Sequence, residues 1–272
     1  MRILAAIKSP DDGSKVAQLG AQVARGAGER LTTLIVVEHE QDRARGQVIL
    51  TKVRETLAGL EMEAKVRVGN AAEQILCEAE EGCFDLVLVG ESQERSLLAR
   101  LLAGSTAVRV VEHAPCPVIV VKGQVGEVQR ILLCDSGGTS EPILSRFTAQ
   151  LAGMLGRGEE VTVLHVMSQI SAGPGVRGRQ LRADAEELIQ EHAPEGRLLE
   201  RDLELLEGMH VHAHAKVRHG LVVDDILDEA RSGAYDLVVI GAHRGEGWQR
   251  ILLDDLAHKI IAQMDRPVLV VR

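Results

Sequence analysis

The feature that most constrains this chain is an internal repeat. Val66-Arg67-Val68-Gly69, Ile75-Leu76 and Asp85-Leu86-Val87-Leu88-Val89-Gly90 return 151 positions later as Val217-Arg218-His219-Gly220, Ile226-Leu227 and Asp236-Leu237-Val238-Val239-Ile240-Gly241. Self-similarity of this length means two copies of one domain, and each position can be judged against its partner copy. The match runs from end to end with changing offsets. Arg2-Ile3-Leu4 pairs with Arg130-Ile131-Leu132, Leu31 to Val37 with Val161 to Met167, and Pro117-Val118-Ile119-Val120-Val121 with Pro267-Val268-Leu269-Val270-Val271. The second copy carries 21 extra residues between its second and third strands, and the first carries one extra after Gly90.

Composition fits two ordinary globular domains. Half of 272 residues is close to the common domain size of about 100 to 150 residues, enough for each half to bury its own core. The four cysteines, Cys77, Cys83, Cys116 and Cys134, show no metal-ligand spacing. Neither a signal peptide nor an apolar run long enough to cross a bilayer is present, so a reducing cytoplasm is the expected home and no membrane partner is expected. A net charge of -9 argues against nucleic acid as a partner, because phosphate-backbone binding needs a basic face. One Trp, one Tyr and two Phe leave little for base stacking.

Within each copy, continuous runs of Val, Ile and Leu alternate with longer amphipathic stretches. Such runs mark strands buried on both faces, as in a parallel sheet covered by helices. The pattern predicts strands near 2–8, 31–38, 62–68, 85–90 and 117–121, and helices near 14–27, 43–60, 71–82 and 97–113. The second copy repeats the strands near 130–135, 160–167, 211–218, 236–241 and 267–271. The fold class is therefore α/β, two tandem five-stranded open sheets with helices on both faces, in domains 1–122 and 130–272. The longer connection, about 168–209, opens on the turn-rich Ser171-Ala172-Gly173-Pro174-Gly175 and continues into an amphipathic stretch from Arg179 to Glu191. Residues 122–129 read as the linker, since Gly123 and Gly126 interrupt any apolar period.

These residues resemble the universal stress protein family in its tandem two-domain form. The resemblance rests on the opening Ile-Leu strand, the Val-x-x-Gly before a helix with Ile-Leu, and the Asp-Leu-Val-x-x-Gly strand. It rests also on the endings His113-Ala114-Pro115-Cys116-Pro117-Val118-Ile119-Val120-Val121 and Arg266-Pro267-Val268-Leu269-Val270-Val271. It implies strand order 3-2-1-4-5, a pseudo-two-fold pair formed through the last strands, and in many members an adenine nucleotide such as ATP. Physics places a ligand in the same region, because open α/β sheets bind outside the carboxyl ends of the strands where strand order reverses.

Nucleotide-binding members carry an acidic residue after strand 1. After strand 4 they carry a Gly, two residues, a Gly, nine residues and Gly-Ser or Gly-Thr. Glycines let the backbone approach the ligand closely, and amides with a hydroxyl at a helix start satisfy phosphate oxygens. In the first copy Lys8 stands at the strand-1 position, Asp11 and Asp12 lie close by, and Gln93 replaces the second glycine. Gly90, Gly104, Ser105 and Thr106 keep an anion cradle, with Lys8, Arg95 or Arg100 to help. In the second copy Asp135 stands at the strand-1 position, with Gly241, Gly245 and Gly247 in the loop. Arg244 replaces the second glycine, and Asp254-Asp255 occupy the places of Gly104-Ser105. Two carboxylates there would repel phosphate by about a few kcal/mol per pair at an effective dielectric near 20. Ser136-Gly137-Gly138 resembles the phosphate loop of ATP pyrophosphatases, but Ser140 stands where those enzymes expect Asp. The alternative reading of the loop is a turn that caps a helix.

His210, His212 and His214 alternate along a strand and share one face. Their partner positions in the first copy include Glu61 and Glu63, the pattern of a solvated outer face, so no metal is firmly implied. His243, Arg244, Trp248, Gln249, Arg250 and His258 make the segment after strand 4 of the second copy locally basic, consistent with a solvated helix. Cys134 beside Asp135 invites a thiol mechanism, but its strand position, matching Ile7 or Ala6, favours a buried apolar role. No spacing supports a catalytic triad or carboxylate pair. The expected function is a non-catalytic cytoplasmic binding protein of the stress response with degenerate adenine-nucleotide sites. Alternatives are a slow ATPase or pyrophosphatase relative, and a scaffold with no nucleotide site. A homodimer of the two-domain chain stays open.

Overall fold

The computed structural model describes residues 1–57, 59–91, 106–135, 142–156, 160–167, 182–242 and 255–272, with the backbone alone for Pro10, Asp11, Asp12 and Asp255. The first repeat runs β1 (Ile3–Ile7), α1 (Pro10–Ala27), β2 (Leu31–Val37), α2 (Arg43–Thr56), β3 (Met62–Val68), α3 (Ala71–Glu81), β4 (Leu86–Gly90), α4 (Thr106–His113) and β5 (Val118–Val121). The second runs β6 (Arg130–Cys134), α5 (Ile143–Leu155), β7 (Glu160–Met167), α6 (Ala185–Gln190), α7 (Pro194–Gly208), β8 (His212–His219), α8 (Val222–Ser232), β9 (Leu237–Gly241), α9 (Asp255–Gln263) and β10 (Val268–Val271). Described strands and helices fall where the apolar runs place them, to within a few residues; of the helix expected over 97–113, residues 97–105 lie outside the described residues.

Two compact units form. Among the described residues the first holds 1–127 and 265–270, and the second holds 128–242, 255–264 and 271–272. In the first unit β3-β2-β1-β4-β5 are neighbours and parallel. Residues 268–270 pair antiparallel to β5, with Val268 opposite Val120. In the second unit β8-β7-β6-β9 repeat the parallel order. Ala242 N–H donates to the Val271 carbonyl at 2.8 Å, which sets the end of β10 beside β9. The order 3-2-1-4-5 thus holds in each repeat.

The repeated motifs have physical causes. The Asp of Asp-Leu-Val ties the start of strand 4 to the start of strand 1. Asp85 accepts the Arg2 N–H at 2.7 Å, and Asp236 accepts those of Gln129 and Arg130, each at 2.9 Å. Central strands such as β1 and β4 bury both faces, so they read as unbroken apolar runs. The outer strands β3 and β8 are only half-buried and carry charges. On β3, Lys65 and Arg67 donate to Glu78 of α3 at 2.7 and 2.6 Å. On β8, Lys216 and Arg218 donate to Glu229 of α8 at 2.9 and 2.7 Å. Burial opposes ionisation of both glutamates, but the two cations outweigh it and hold each carboxyl below its ordinary value.

The 122–129 linker is pinned to α1. Lys15 donates to the Gly123 carbonyl and Gln22 to the Gly126 carbonyl, both at 2.7 Å. Gly123 has φ of 61°, and a Cβ there would lie 1.9 Å from the Asp265 carbonyl oxygen, so only glycine fits. In the second repeat, the extra residues lie between β7 and α7, the counterpart of α2. Their described part begins at Arg182 and places α6 against the end of the sheet, where Met167, Ala183, Leu188 and Ala193 form a small core. Asp184 and Glu187 close a capping box at the start of α6. The amphipathic stretch expected from Arg179 thus becomes a helix only from Ala185, with 179–181 outside the described residues.

Candidate functional site

Strand order reverses between β1 and β4 and again between β6 and β9, so each repeat offers a crevice at the carboxyl ends of those strands. In the first unit Lys8 is exposed directly after β1, and Gly90 ends β4 opposite Val121. Beyond Gly90, Glu91 N–H donates to the Val121 carbonyl, and the Glu91 carboxylate lies 2.9 Å from Lys122 Nζ. The Lys122 side chain is only 2% exposed while Glu91 stays open to solvent, an ion pair beyond the end of β4 that sequence reasoning missed. Thr106 opens α4 and is half-buried. Arg109, one turn later, lies 3.5 Å from Asn70 Oδ1 and 3.8 Å from Glu73 at the start of α3. Gly104, Ser105, Gln93, Arg95 and Arg100 lie outside the described residues.

In the second unit Gly241 is exposed at the end of β9, and a Cβ there would meet only Leu144 Cδ2, at 3.8 Å. Ser136, Gly137, Gly138, Ser140, Gly245, Gly247, Arg244 and Asp254 lie outside the described residues, as do His243, Trp248, Gln249 and Arg250. Asp255 starts α9 by its backbone. Asp135 is described, and it does not stand open to the crevice. Its carboxylate lies 3.3 Å from Arg201 Nη2 of α7 and is 11% exposed. Arg201 also donates to Asp202 Oδ1, from Nε at 3.1 Å and from Nη2 at 2.9 Å. His165 Nδ1 lies 3.1 Å from the Asp135 carbonyl oxygen.

Strand register corrects the pairing of the two copies at this point. Ala6 lies opposite Leu34 and Val89, and Cys134 opposite Leu164 and Ile240. Cys134 therefore corresponds to Ala6, Asp135 to Ile7, and Lys8 to Ser136. Lys8 and Asp135, placed at one position by sequence comparison, are one residue apart. Because side chains alternate along a strand, that single step turns Asp135 into the helix layer where Ile7 is buried. Burial pushes the Cys134 thiol well above its ordinary value, with the Glu229 and Asp135 charges adding to it. A thiol held protonated is a poor nucleophile, in line with the apolar role expected for it.

The alternating histidines also find places. His214 Nε2 lies 3.0 Å from Thr162 Oγ1 and its Nδ1 3.3 Å from Glu160, while His210 and His212 are exposed. Among the described residues no three His, Cys, Asp or Glu side chains converge as metal ligands, and no helix is long and apolar enough to cross a membrane.

The fold and its crevices define a tandem, doubly wound α/β protein with a potential ligand site at each switch point. The family model described as "Universal stress protein family" matches residues 1–122 and 127–272. The chain belongs to the universal stress protein family. It is 24% identical over 262 residues to a universal stress protein of Mycolicibacterium smegmatis, covering 90% of this chain and 82% of that protein. The crystal structure of a universal stress protein from Archaeoglobus fulgidus superimposes with a TM-score of 0.70 at 15% identity, covering 100% of this chain and 96% of the other. Another from the same organism, solved in complex with dAMP, matches 54% of this chain and all of its own at 17% identity, with a TM-score of 0.39.

Proposed function

We propose that this chain is a non-catalytic regulatory binding protein of the cytoplasmic stress response, in which neither copy keeps a full adenine-nucleotide site. The observation that carries the reading is the engagement of Asp135. The acidic side chain directly after strand 1 of the second unit points into the helix layer and is bound by Arg201. The equivalent residue of the first unit is the buried Ile7. The acid that family members place near the adenine is thus committed elsewhere in one copy and replaced in the other. Sequence supplies the complementary loss on the phosphate side, where Asp254-Asp255 stand in place of Gly104-Ser105. What remains is the first copy's Gly104, Ser105 and Thr106, a cradle for an anion without its adenine partner.

The test is the nucleotide content of the purified protein, followed by calorimetric titration with ATP, ADP and AMP, with and without magnesium. The expected result is no co-purified nucleotide and binding weaker than micromolar. Micromolar binding that Asp135→Ala abolishes would sink the reading, because Asp135 would then be serving adenine after all. Sustained phosphate release lost in Gly137→Ala would replace it with the pyrophosphatase-like alternative.

A further inference from the structure

The cluster around Asp135 holds polar atoms that a purely structural ion pair leaves unexplained. Asp202 is fully buried, at 0% exposed, in the middle of α7. Its Oδ1 accepts both hydrogen bonds from Arg201, while Oδ2 has no partner among the described residues. The Ser145 hydroxyl of α5, equally buried, makes no hydrogen bond of ordinary geometry among the described residues, but lies near enough to Asp202 to favour its ionised form. Asp135 lies on the other arm of the interaction, against the same Arg201 Nη2. Among the described residues Asp202, out of reach of water, shares its guanidinium with a second carboxylate, and a buried charge is expensive unless it is fully paired or neutralised. A proton on the unpartnered oxygen does both, since a protonated carboxyl becomes a donor.

We propose that Asp202 carries a proton where it faces the Asp135 carboxylate, and that this proton acts as a pH-responsive lock fastening α7 to the end of β6. With the proton in place the cluster is neutral: Arg201 balances one carboxylate, and the second carboxyl donates to its neighbour. Loss of the proton leaves two like charges facing each other across one guanidinium. No other reactant is involved, since the step is the exchange of one proton with solvent.

The surrounding groups agree. Burial, the Asp135 charge and the Asp135 hydrogen bond push the Asp202 carboxyl up to about 6, against the opposing pull of Arg201 and Ser145. From β6 the cluster faces the Cys134 thiol, which stays protonated; from β7, His165; from α5, Ser145; and from α7 itself, Arg201. The first unit is an internal control. Ile7, Gly13 and Val53, none of them titratable, meet at the matching junction: a Cβ on Gly13 would lie 2.2 Å from Ile7 Cγ2 and 3.4 Å from Val53 Cγ2. The proposal does not depend on nucleotide binding, so its failure and that of the proposed function are separate outcomes.

The experiment is a pH titration of the full chain carrying 13C-labelled aspartate carboxyls, followed by NMR, which separates carboxyls from the His165 imidazole. One aspartate should titrate about two units above the ordinary aspartate value. That transition should vanish in Asp202→Asn and move towards acid in Asp135→Asn. In the wild type, α7 amides should exchange up to roughly tenfold faster for each unit of pH between the ordinary aspartate value and the midpoint, levelling off above it, after correction for intrinsic exchange. Titration of every aspartate below about 4.5 in the wild type overturns the proposal whether or not either variant folds. A raised transition that persists in Asp202→Asn overturns it equally.

Discussion

The same junction between strand 1 and its two covering helices is filled in two ways. In the first unit it is Ile7, Gly13 and Val53; in the second it is Asp135, Ser145 and Asp202. The correspondence follows from strand register and from the buried faces of the helices. Gly13, Val16 and Ala17 along α1 match Ser145, Thr148 and Ala149 along α5, and Leu50 and Val53 along α2 with Leu57 at its end match Leu199, Asp202 and Leu206 along α7. Even the base has a counterpart, because Lys52 precedes Val53 as Arg201 precedes Asp202. One backbone architecture therefore accepts either an apolar plug or a charged one. The apolar plug gains by burial alone, at roughly 25 cal/mol per Å². The charged one loses desolvation energy and recovers it only through Arg201 and a proton. The comparison teaches that sheet topology is maintained by the flanking apolar positions, which leaves this one spot open to variation.

The largest expected effect comes from moving the charge into the unit that lacks its partners. Ile7→Asp places a carboxylate among α1 and α2, where the counterpart of Arg201 is the exposed Lys52, and should destabilise the first unit by about 4 kcal/mol at pH 7.5. Urea denaturation followed by signals assigned to each unit measures this. A loss below about 1 kcal/mol would show that Lys52 swings in as Arg201 does, and the contrast between the units would collapse.

Next comes removal of the charge from the unit that has it. The Asp202 carboxyl is raised from 3.8 to about 6 in the folded protein. Between those values the folded state binds more protons than the unfolded state, so stability rises as pH falls through about 6 and levels off below 3.8. Above about 6 the folded chain carries the penalty of an ionised Asp202. Asp202→Asn removes it while keeping the side chain's shape, and should stabilise the second unit by about 2 kcal/mol at pH 8, with the gain fading towards pH 4. Thermal melts at the two pH values check the sign. A variant less stable than wild type at pH 8 would mean that the Arg201 ion pair outweighs the repulsion.

How much of this could be read in the sequence depends on which positions repeat. The buried strands were legible because Ile3–Ile7, Leu86–Gly90 and their counterparts are unbroken apolar runs, which only a doubly covered strand sustains. Asp85 and Asp236 recur because each closes the same backbone hydrogen bonds. Strand order came from resemblance, since parallel pairing leaves no mark on the residues themselves. Asp202 was hidden because α7 follows the unmatched connection, where sequence comparison has no register. There a buried Asp between Leu199 and Leu206 looks like a polar face. The one-residue slip between Lys8 and Asp135 arose from matching charged residues to each other; pairing to the neighbouring strand counts backbone positions instead. The Glu91–Lys122 pair was missed for a related reason: a lysine and a glutamate at strand ends are ordinary surface residues until the fold buries one of them.

The smallest effects test the third member of each plug. Gly13 has no room for a methyl group, because its Cβ would meet the branched Ile7 side chain at 2.2 Å, and a β-branched residue in a strand has few rotamers to escape into. Gly13→Ala should therefore destabilise the first unit by about 1 to 2 kcal/mol, offset in part by the better helix propensity of alanine. Ser145 already carries its Cβ in the matching place, and its hydroxyl is buried without a hydrogen bond of ordinary geometry among the described residues. Ser145→Ala should change stability at pH 8 by no more than about 0.5 kcal/mol, since it removes a desolvated hydroxyl along with whatever help that hydroxyl gives to ionised Asp202. It should also raise the Asp202 midpoint slightly, because the Ser145 hydroxyl lowers it. A midpoint that moves with no change in stability separates the hydroxyl's electrostatic part from its packing. Equal losses from both substitutions would mean instead that the two junctions are packed alike and differ only in charge.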